Sequence, residues 1–275
     1  MNGDGPHPAS ADLAFIPRGA HRIWPFVIGT SNAYQRPPWN ARLLLGWGLV
    51  QALLGTQPSE PRESWKNLPR EMLATLMHKE GAGKEHPSRI FAASLIARGE
   101  SVLDVGCGAG VGYESLASVG LESGYVGVDS SEPSIEIARK LYPVGDFRVS
   151  NIKGLATQLG AKSFDVVIVR HVLEHLPDFE SAMNEAISVS RRLAIFIFYL
   201  TPRALPFGVR KLDPGHGRPL LYTNIYSRTA ISNFLSGHHL HWRWFDNLGP
   251  SRAGWFANEV NCVLVVSGDQ NGLPR

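Results

Sequence analysis

The chain has 275 residues, 44% of them apolar, and its 27 lysines and arginines against 24 aspartates and glutamates leave a net charge of +3. That length and apolar content supply a substantial core with room for an extension and exclude a disordered polymer. The basic residues are scattered apart from pairs such as Arg191-Arg192 and Arg210-Lys211, so no nucleic-acid partner is expected.

Two cysteines, Cys107 and Cys262, cannot build a disulfide framework, which points to a reducing compartment. The opening "MNGDGPHPAS" lacks the basic start and apolar stretch of a secretory signal, so a cytoplasmic location is expected. The first forty residues, with "IPRGAHRIWPF" and "YQRPPWN", read as irregular chain docked by its rings. Helical pattern follows at 40–54, 69–80 and 88–98, broken by "EGAGKEHP". "LLLGWGLVQALLG", from Leu43 to Gly55, contains Gln51 and is shorter than the ~20 residues of a spanning helix. It reads as a buried or interfacial helix, and no membrane span is expected. Residues 1–87 are thus expected to form a mostly helical extension, serving as a lid, a substrate wall or the contact of a homo-oligomer, ahead of a domain over 88–275. Trp39, Trp47 and Trp65 would pack that extension on the core.

From residue 100 short apolar strands alternate with helical segments: "SVLDVG", "GYVGVD", "DFRVSN", "FDVVIVR" and "RLAIFIFYL" are strands, and "GYESLASVG", "EPSIEIARKLY" and 179–190 are helices. Such alternation predicts an α/β fold, a doubly wound, Rossmann-like sheet with helices on both faces. "SRTAISNFLS" is a further helix, followed by "HLHWRWFDN" and "NEVNCVLVVSG" without a helix between them. The last strand is therefore expected to be antiparallel, in a sheet of seven.

Ligands of such sheets bind beyond the carboxyl ends of the strands, where the strand order reverses. There "VLDVGCGAG" places Asp104, Gly106, Cys107, Gly108 and Gly110, a turn that brings backbone close to a ligand. The dinucleotide spacing G-x-G-x-x-G fails, because Val111 or Tyr113 occupies the place of its last glycine. Asp129, nineteen residues beyond Gly110, can accept from ribose hydroxyls.

These segments resemble the class I S-adenosylmethionine-dependent methyltransferases: "VLDVGCGAGVGY" their first motif, "VGVDSS" the second, "FRVSNI" the third-strand motif and "FDVVIVRHVLEHLPD" the fourth, over residues 88–200. The resemblance implies that Asp104 and Gly106 to Gly110 contact the methionine part of the cofactor, Asp129 the ribose and Ser130 the adenosine side. Residues 150–152, including Asn151 and Ile152, would lie beside adenine, and Arg170 would border the site. Asn151 stands where the family usually has an aspartate; its amide oxygen can still accept, and a plain turn residue is the other reading.

Methyl transfer is an in-line displacement, so the acceptor must be positioned, and a hydroxyl acceptor must also lose a proton to a base or a metal. In "RHVLEH", His171, Glu174 and His175 stand at i, i+3 and i+4 and on a helix would share one face. The stretch resembles the quinone-pathway O-methyltransferases, whose "E-x-x-E-H" cluster is tied to a divalent cation; His171 replaces the first acid. A metal site at these three residues, holding an ion such as magnesium, a general base at His171 and a catalytic role for His175 are expectations. A structural role is the alternative for His171 and His175 alike.

After the fifth strand of this alternating run, "KLDPGHGRPLLYTNIYS" offers Asp213, His216, Arg218, Tyr222, Asn224 and Tyr226 on a Pro/Gly-rich loop. Asp213, Tyr222, Asn224 and Tyr226 are candidate acceptor contacts, and His216 a candidate catalytic group. The other reading is an ordered polar surface loop. This loop also resembles methyltransferases encoded with glycosyltransferases, which implies a small polar acceptor, a saccharide or glycoside. "GHHLHW" reads as an edge strand rather than a zinc site. Two rivals to an O-methyltransferase stay open: an N-methyltransferase on a small amine, needing no base, and a non-catalytic module that only binds the cofactor.

Overall fold

The computed structural model describes residues 13–17, 86–176, 178–198, 207–211, 221–226, 228–246, 248 and 262–274. Its strands are β1 (Leu13–Pro17), β2 (Val102–Val105), β3 (Tyr125–Asp129), β4 (Asp146–Val149), β5 (Phe164–Arg170), β6 (Ser190–Phe198), β7 (Phe207–Lys211), β8 (Leu221–Ile225), β9 (His241–Phe245) and β10 (Cys262–Ser267). Its helices are α1 (Pro87–Ser94), α2 (Val111–Ala117), α3 (Glu132–Leu141), α4 (Leu155–Leu159), α5 (Phe179–Val189) and α6 (Arg228–Gly237).

Seven strands form one sheet in the order β4-β3-β2-β5-β6-β10-β9, with β10 antiparallel to both neighbours. The expected seven-stranded doubly wound sheet with an antiparallel last strand is therefore what the chain forms. Along the strands, neighbouring residues enter opposite cores. In β6 Ala194, Phe196 and Phe198 join α4, α5 and α6 in one cluster, whereas Leu193, Ile195 and Ile197 join α1, α2 and α3 in the other. Both faces are covered, which is why these strands read as continuous apolar runs and not as alternating ones.

The helices begin where their caps allow. Ser131 caps α3 with Pro133 in its first turn, and Asp178 caps α5, accepting from the N–H groups of Glu180 and Ser181 at 3.0 and 3.2 Å. α1 ends at Ser94, four residues earlier than the pattern over 88–98 suggests, and begins at Pro87 with His86 as its cap.

Two findings depart from the sequence reading. Leu13–Pro17, expected to be irregular chain within a mostly helical extension, is a strand; it pairs antiparallel with β7, which pairs antiparallel with β8 in a second, three-stranded sheet. Leu221–Ile225, expected to be loop, is the third strand of that sheet. The helices expected at 40–54 and 69–80, and Trp39, Trp47 and Trp65, lie outside the described residues. Among the described residues no helix is long and apolar enough to cross a membrane.

Candidate active site

The strand order reverses between β2 and β5, so the crevice opens beyond their carboxyl ends. There the chain turns through Gly106, Gly108 and Gly110 at φ of +74°, +56° and +86°, a region that side-chain-bearing residues rarely adopt. The N–H groups of Gly106 and Cys107 donate to the Val128 carbonyl at 2.7 and 3.0 Å, tying the loop to β3. Asp129 closes it from the other side. One carboxylate oxygen accepts from the Gly108 N–H at 3.0 Å and the other from the Ser131 N–H at 2.8 Å. Each oxygen keeps acceptor capacity for a hydroxyl. Burial pushes the Asp129 carboxyl up, and these backbone donors oppose the shift.

Asp104 lies in β2, just ahead of the loop. It is 5% exposed, accepts from the Tyr125 hydroxyl at 2.8 Å, and lies so close under the first turn of α2 that a Cβ on Gly112 would overlap its carboxylate. Burial raises its pKa, and the guanidinium of Arg89 on α1 opposes the shift. Burial likewise pulls Arg89 and Arg170 below the ordinary arginine range; Asp104 works against this at both, and Glu174 does so at Arg170. The Nε of Arg89 and the Nη2 of Arg170 are enclosed with no hydrogen-bond partner among the described residues. An unmet buried donor costs ~1–3 kcal/mol, so two of them on neighbouring guanidiniums fit an anionic ligand group.

Arg89 was missed by the reading of the sequence, although a signal was present. It precedes the buried Ala92, Ala93 and Ile96 by three, four and seven residues, so it is an arginine on the core face of its helix.

The remaining cofactor candidates divide. The Cys107 side chain enters the core, its Sγ against Gly127, and burial pushes the thiol well up, so the loop offers only its backbone there. Asn151 accepts from the Lys153 N–H at 3.0 Å, the arrangement of a turn residue, and Ile152 is buried beside it. Ser130 is half-buried.

β5 ends at Arg170, and the next residue, His171, takes φ +56°. Val172 follows, its Cγ2 where a Cβ on Gly106 would have to go. Then comes a 3-10 turn over Leu173–His175. The helical face expected to gather His171, Glu174 and His175 is therefore not formed: His171 precedes the turn in the left-handed region, and Glu174 is 1% exposed. Among the described residues no group of three or more His, Cys, Asp or Glu side chains is placed to hold a metal ion, so the expected metal site at His171, Glu174 and His175 finds no support there. His171 and His175 are half-buried. In the "GHHLHW" stretch β9 begins only at His241, after His239 turns at φ +54°, and β9 is an edge strand as expected.

Tyr226, expected to contact the acceptor, is instead 1% exposed, with its hydroxyl 2.6 Å from the Leu176 carbonyl and 2.9 Å from that of Leu173. Tyr222 and Asn224 lie in β8, opposite Arg210 and Gly208. Asp213, His216 and Arg218 lie outside the described residues.

Residues 103–198 match the family model described as a methyltransferase domain. A ubiquinone biosynthesis O-methyltransferase of Hahella chejuensis is 38% identical over 105 residues, covering 36% of this chain and 42% of that protein. A probable S-adenosylmethionine-dependent methyltransferase of Mycolicibacterium smegmatis is 34% identical over 125 residues, covering 44% and 47% respectively. The matches thus span less than half the length of these relatives. Among solved structures, DesVI of Streptomyces venezuelae superposes with a TM-score of 0.51 at 16% identity, covering 74% of this chain and all of DesVI, a likeness of fold. Residues 103–198 are a methyltransferase domain of the class I S-adenosylmethionine-dependent kind. The residues present fit that cofactor: a loop whose backbone turns left-handed at Gly106, Gly108 and Gly110, a carboxylate at Asp129 with acceptor capacity left, and two enclosed guanidinium donors.

Proposed function

We propose that the chain is an S-adenosylmethionine-dependent O-methyltransferase acting on a hydroxyl of a small polar acceptor, with His171 as the general base. In this reading Asp129 accepts from the ribose hydroxyls, the backbone of Gly106 to Gly110 lies along the cofactor, and Arg89 and Arg170 take its carboxylate. When bound, the cofactor supplies an electrophilic methyl group. The chain's own part is to bring the acceptor oxygen into line, exclude water and remove its proton.

The observation that carries the reading is the placement of His171. It is the first residue beyond β5 at the crevice, held at φ +56°, and adjoins Val172, which seats on Gly106 of the loop. Left-handed backbone at a non-glycine residue costs ~1–3 kcal/mol, strain that collects at functional sites. The relatives described as ubiquinone biosynthesis O-methyltransferases support an oxygen acceptor. A saccharide hydroxyl is the acceptor class to try first, on the polar run from Asp213 to Asn224.

The test is transfer of a labelled methyl group from S-adenosylmethionine to pools of saccharides, phenols and amines. His171→Ala should lower transfer to the hydroxyl acceptor by roughly 10²- to 10⁴-fold. Turnover confined to amines and indifferent to this substitution would replace the reading with an N-methyltransferase. Cofactor binding without transfer to any pool would leave a binding module.

A further inference from the structure

Tyr226 directly follows β8, yet its hydroxyl reaches the carbonyls of Leu173 and Leu176, the first residue of the 3-10 turn and the residue after it. Its ring stands edge-on to Phe179, the first residue of α5, with centroids 5.1 Å apart. The same turn is joined through Leu173 to Val172, whose methyl occupies the space beside Gly106. A continuous chain of contacts therefore runs from the three-stranded sheet through Tyr226 to the turn, and from the turn through Val172 to the glycine loop. The phenol hydroxyl has one proton for two carbonyls of a short helical turn, and that of Leu173 also accepts the turn's closing bond from the Leu176 N–H at 3.0 Å. It is thus placed to fix the turn that follows His171 and carries His175.

We infer that Tyr226 is a positioning residue that couples the three-stranded sheet to the cofactor loop, so that filling the loop also steadies β8. The inference rests on the reading of that loop as the cofactor site. It assigns Tyr226 no contact with acceptor or cofactor. Its hydroxyl acts on the backbone from Leu173 to Leu176, and that backbone sets where His171 and His175 stand.

The test is amide hydrogen exchange on the full chain, with and without S-adenosylhomocysteine, in wild type and in Tyr226→Phe. The Phe variant keeps the ring against Phe179 and removes only the hydroxyl. In wild type the nucleoside should slow exchange at residues 106–110, at 173–176 and at 221–225. In Tyr226→Phe the slowing should persist at 106–110 and disappear at 221–225, while exchange at 173–176 without ligand rises roughly 3- to 10-fold, as loss of one hydrogen bond implies. Nucleoside affinity should stay within about 3-fold on the same grounds, since no contact with it is lost. Protection of 221–225 that survives in the variant, or that is missing in wild type although 106–110 is protected, overturns the coupling. If the nucleoside binds neither protein, the cofactor reading fails; the clamp is then judged on 173–176 alone, where unchanged exchange in Tyr226→Phe overturns it. Tyr226→Leu serves as a control for the ring: an effect seen only with Leu assigns Tyr226 to packing.

Discussion

Gly112 opposes two effects of different size. Helix propensity favours alanine over glycine by about 1 kcal/mol in a helix interior. A Cβ there would overlap the buried Asp104 carboxylate, whose nearest shelter is the Tyr125 hydroxyl and the Arg89 guanidinium. The steric effect should win, and Gly112→Ala is expected to lower stability by ~1–3 kcal/mol in urea denaturation. A variant at least as stable as wild type would mean that the carboxylate can move aside. His86 adds a pH dependence. Its Nδ1 accepts from the Ser88 N–H at 3.2 Å at the start of α1, and burial, helped by Arg170 and Arg89, lowers its pKa from 6.5 to about 3. The unfolded chain takes up a proton below pH 6.5 that the folded chain refuses. Stability present above that pH is therefore lost as pH falls toward 3, by up to about 2 kcal/mol between pH 7 and pH 5. His86→Asn, which caps a helix without titrating, should flatten this loss in urea midpoints compared at the two pH values. At this scale the glycines were legible because a left-handed turn demands their type, and Asp129 because a carboxylate at the end of the second strand of the alternating run stands out; in the structure it closes the loop by accepting from the Gly108 N–H. Arg89 was overlooked because a charged residue on a helix is normally assigned to solvent, and only the burial of Ala92, Ala93 and Ile96 shows otherwise.

At the scale of elements, the strands of the large sheet were legible from their apolar runs, and the segment after β5 was not. "RHVLEHLPDFE" has helical spacing, yet Asp178 caps α5 at Phe179, which leaves too little chain after Arg170 for a helix of its own. The segment makes a left-handed turn at His171 and a three-residue 3-10 turn instead, and the shared face of His171, Glu174 and His175 is lost. His171→Asn separates the backbone from the chemistry. Asparagine tolerates left-handed φ, so the melting temperature should stay close to wild type while methyl transfer falls as in the alanine variant. His171→Val should lose stability as well, by ~1–3 kcal/mol, because a β-branched residue is strained there. Equal stability of Asn and Val variants would show that the turn relaxes.

Over the whole molecule, the chain closes on itself in a way that no local pattern announces. Leu13–Pro17 pairs with β7, and Ala14 stands opposite Arg210. Cysteines placed at both positions should form a disulfide under mild oxidation, closing a loop of about two hundred residues and raising the thermal midpoint relative to the reduced form. Cys107 and Cys262 are both buried and should not compete. A pair that stays reduced would argue against this register. The amino-acid sequence by itself determined the doubly wound sheet, the antiparallel last strand and the glycine loop. Each of these follows from near-neighbour chemistry: apolar runs that need both faces covered, and glycines where backbone must turn left-handed. Tertiary structure alone decided the three-stranded sheet, the burial of Tyr226 against Leu173 and Leu176, and the meeting of Arg89 with Asp104 and Arg170. Those depend on groups far apart in the chain that become neighbours only once the sheet has formed, and no period or spacing in the sequence encodes such a meeting.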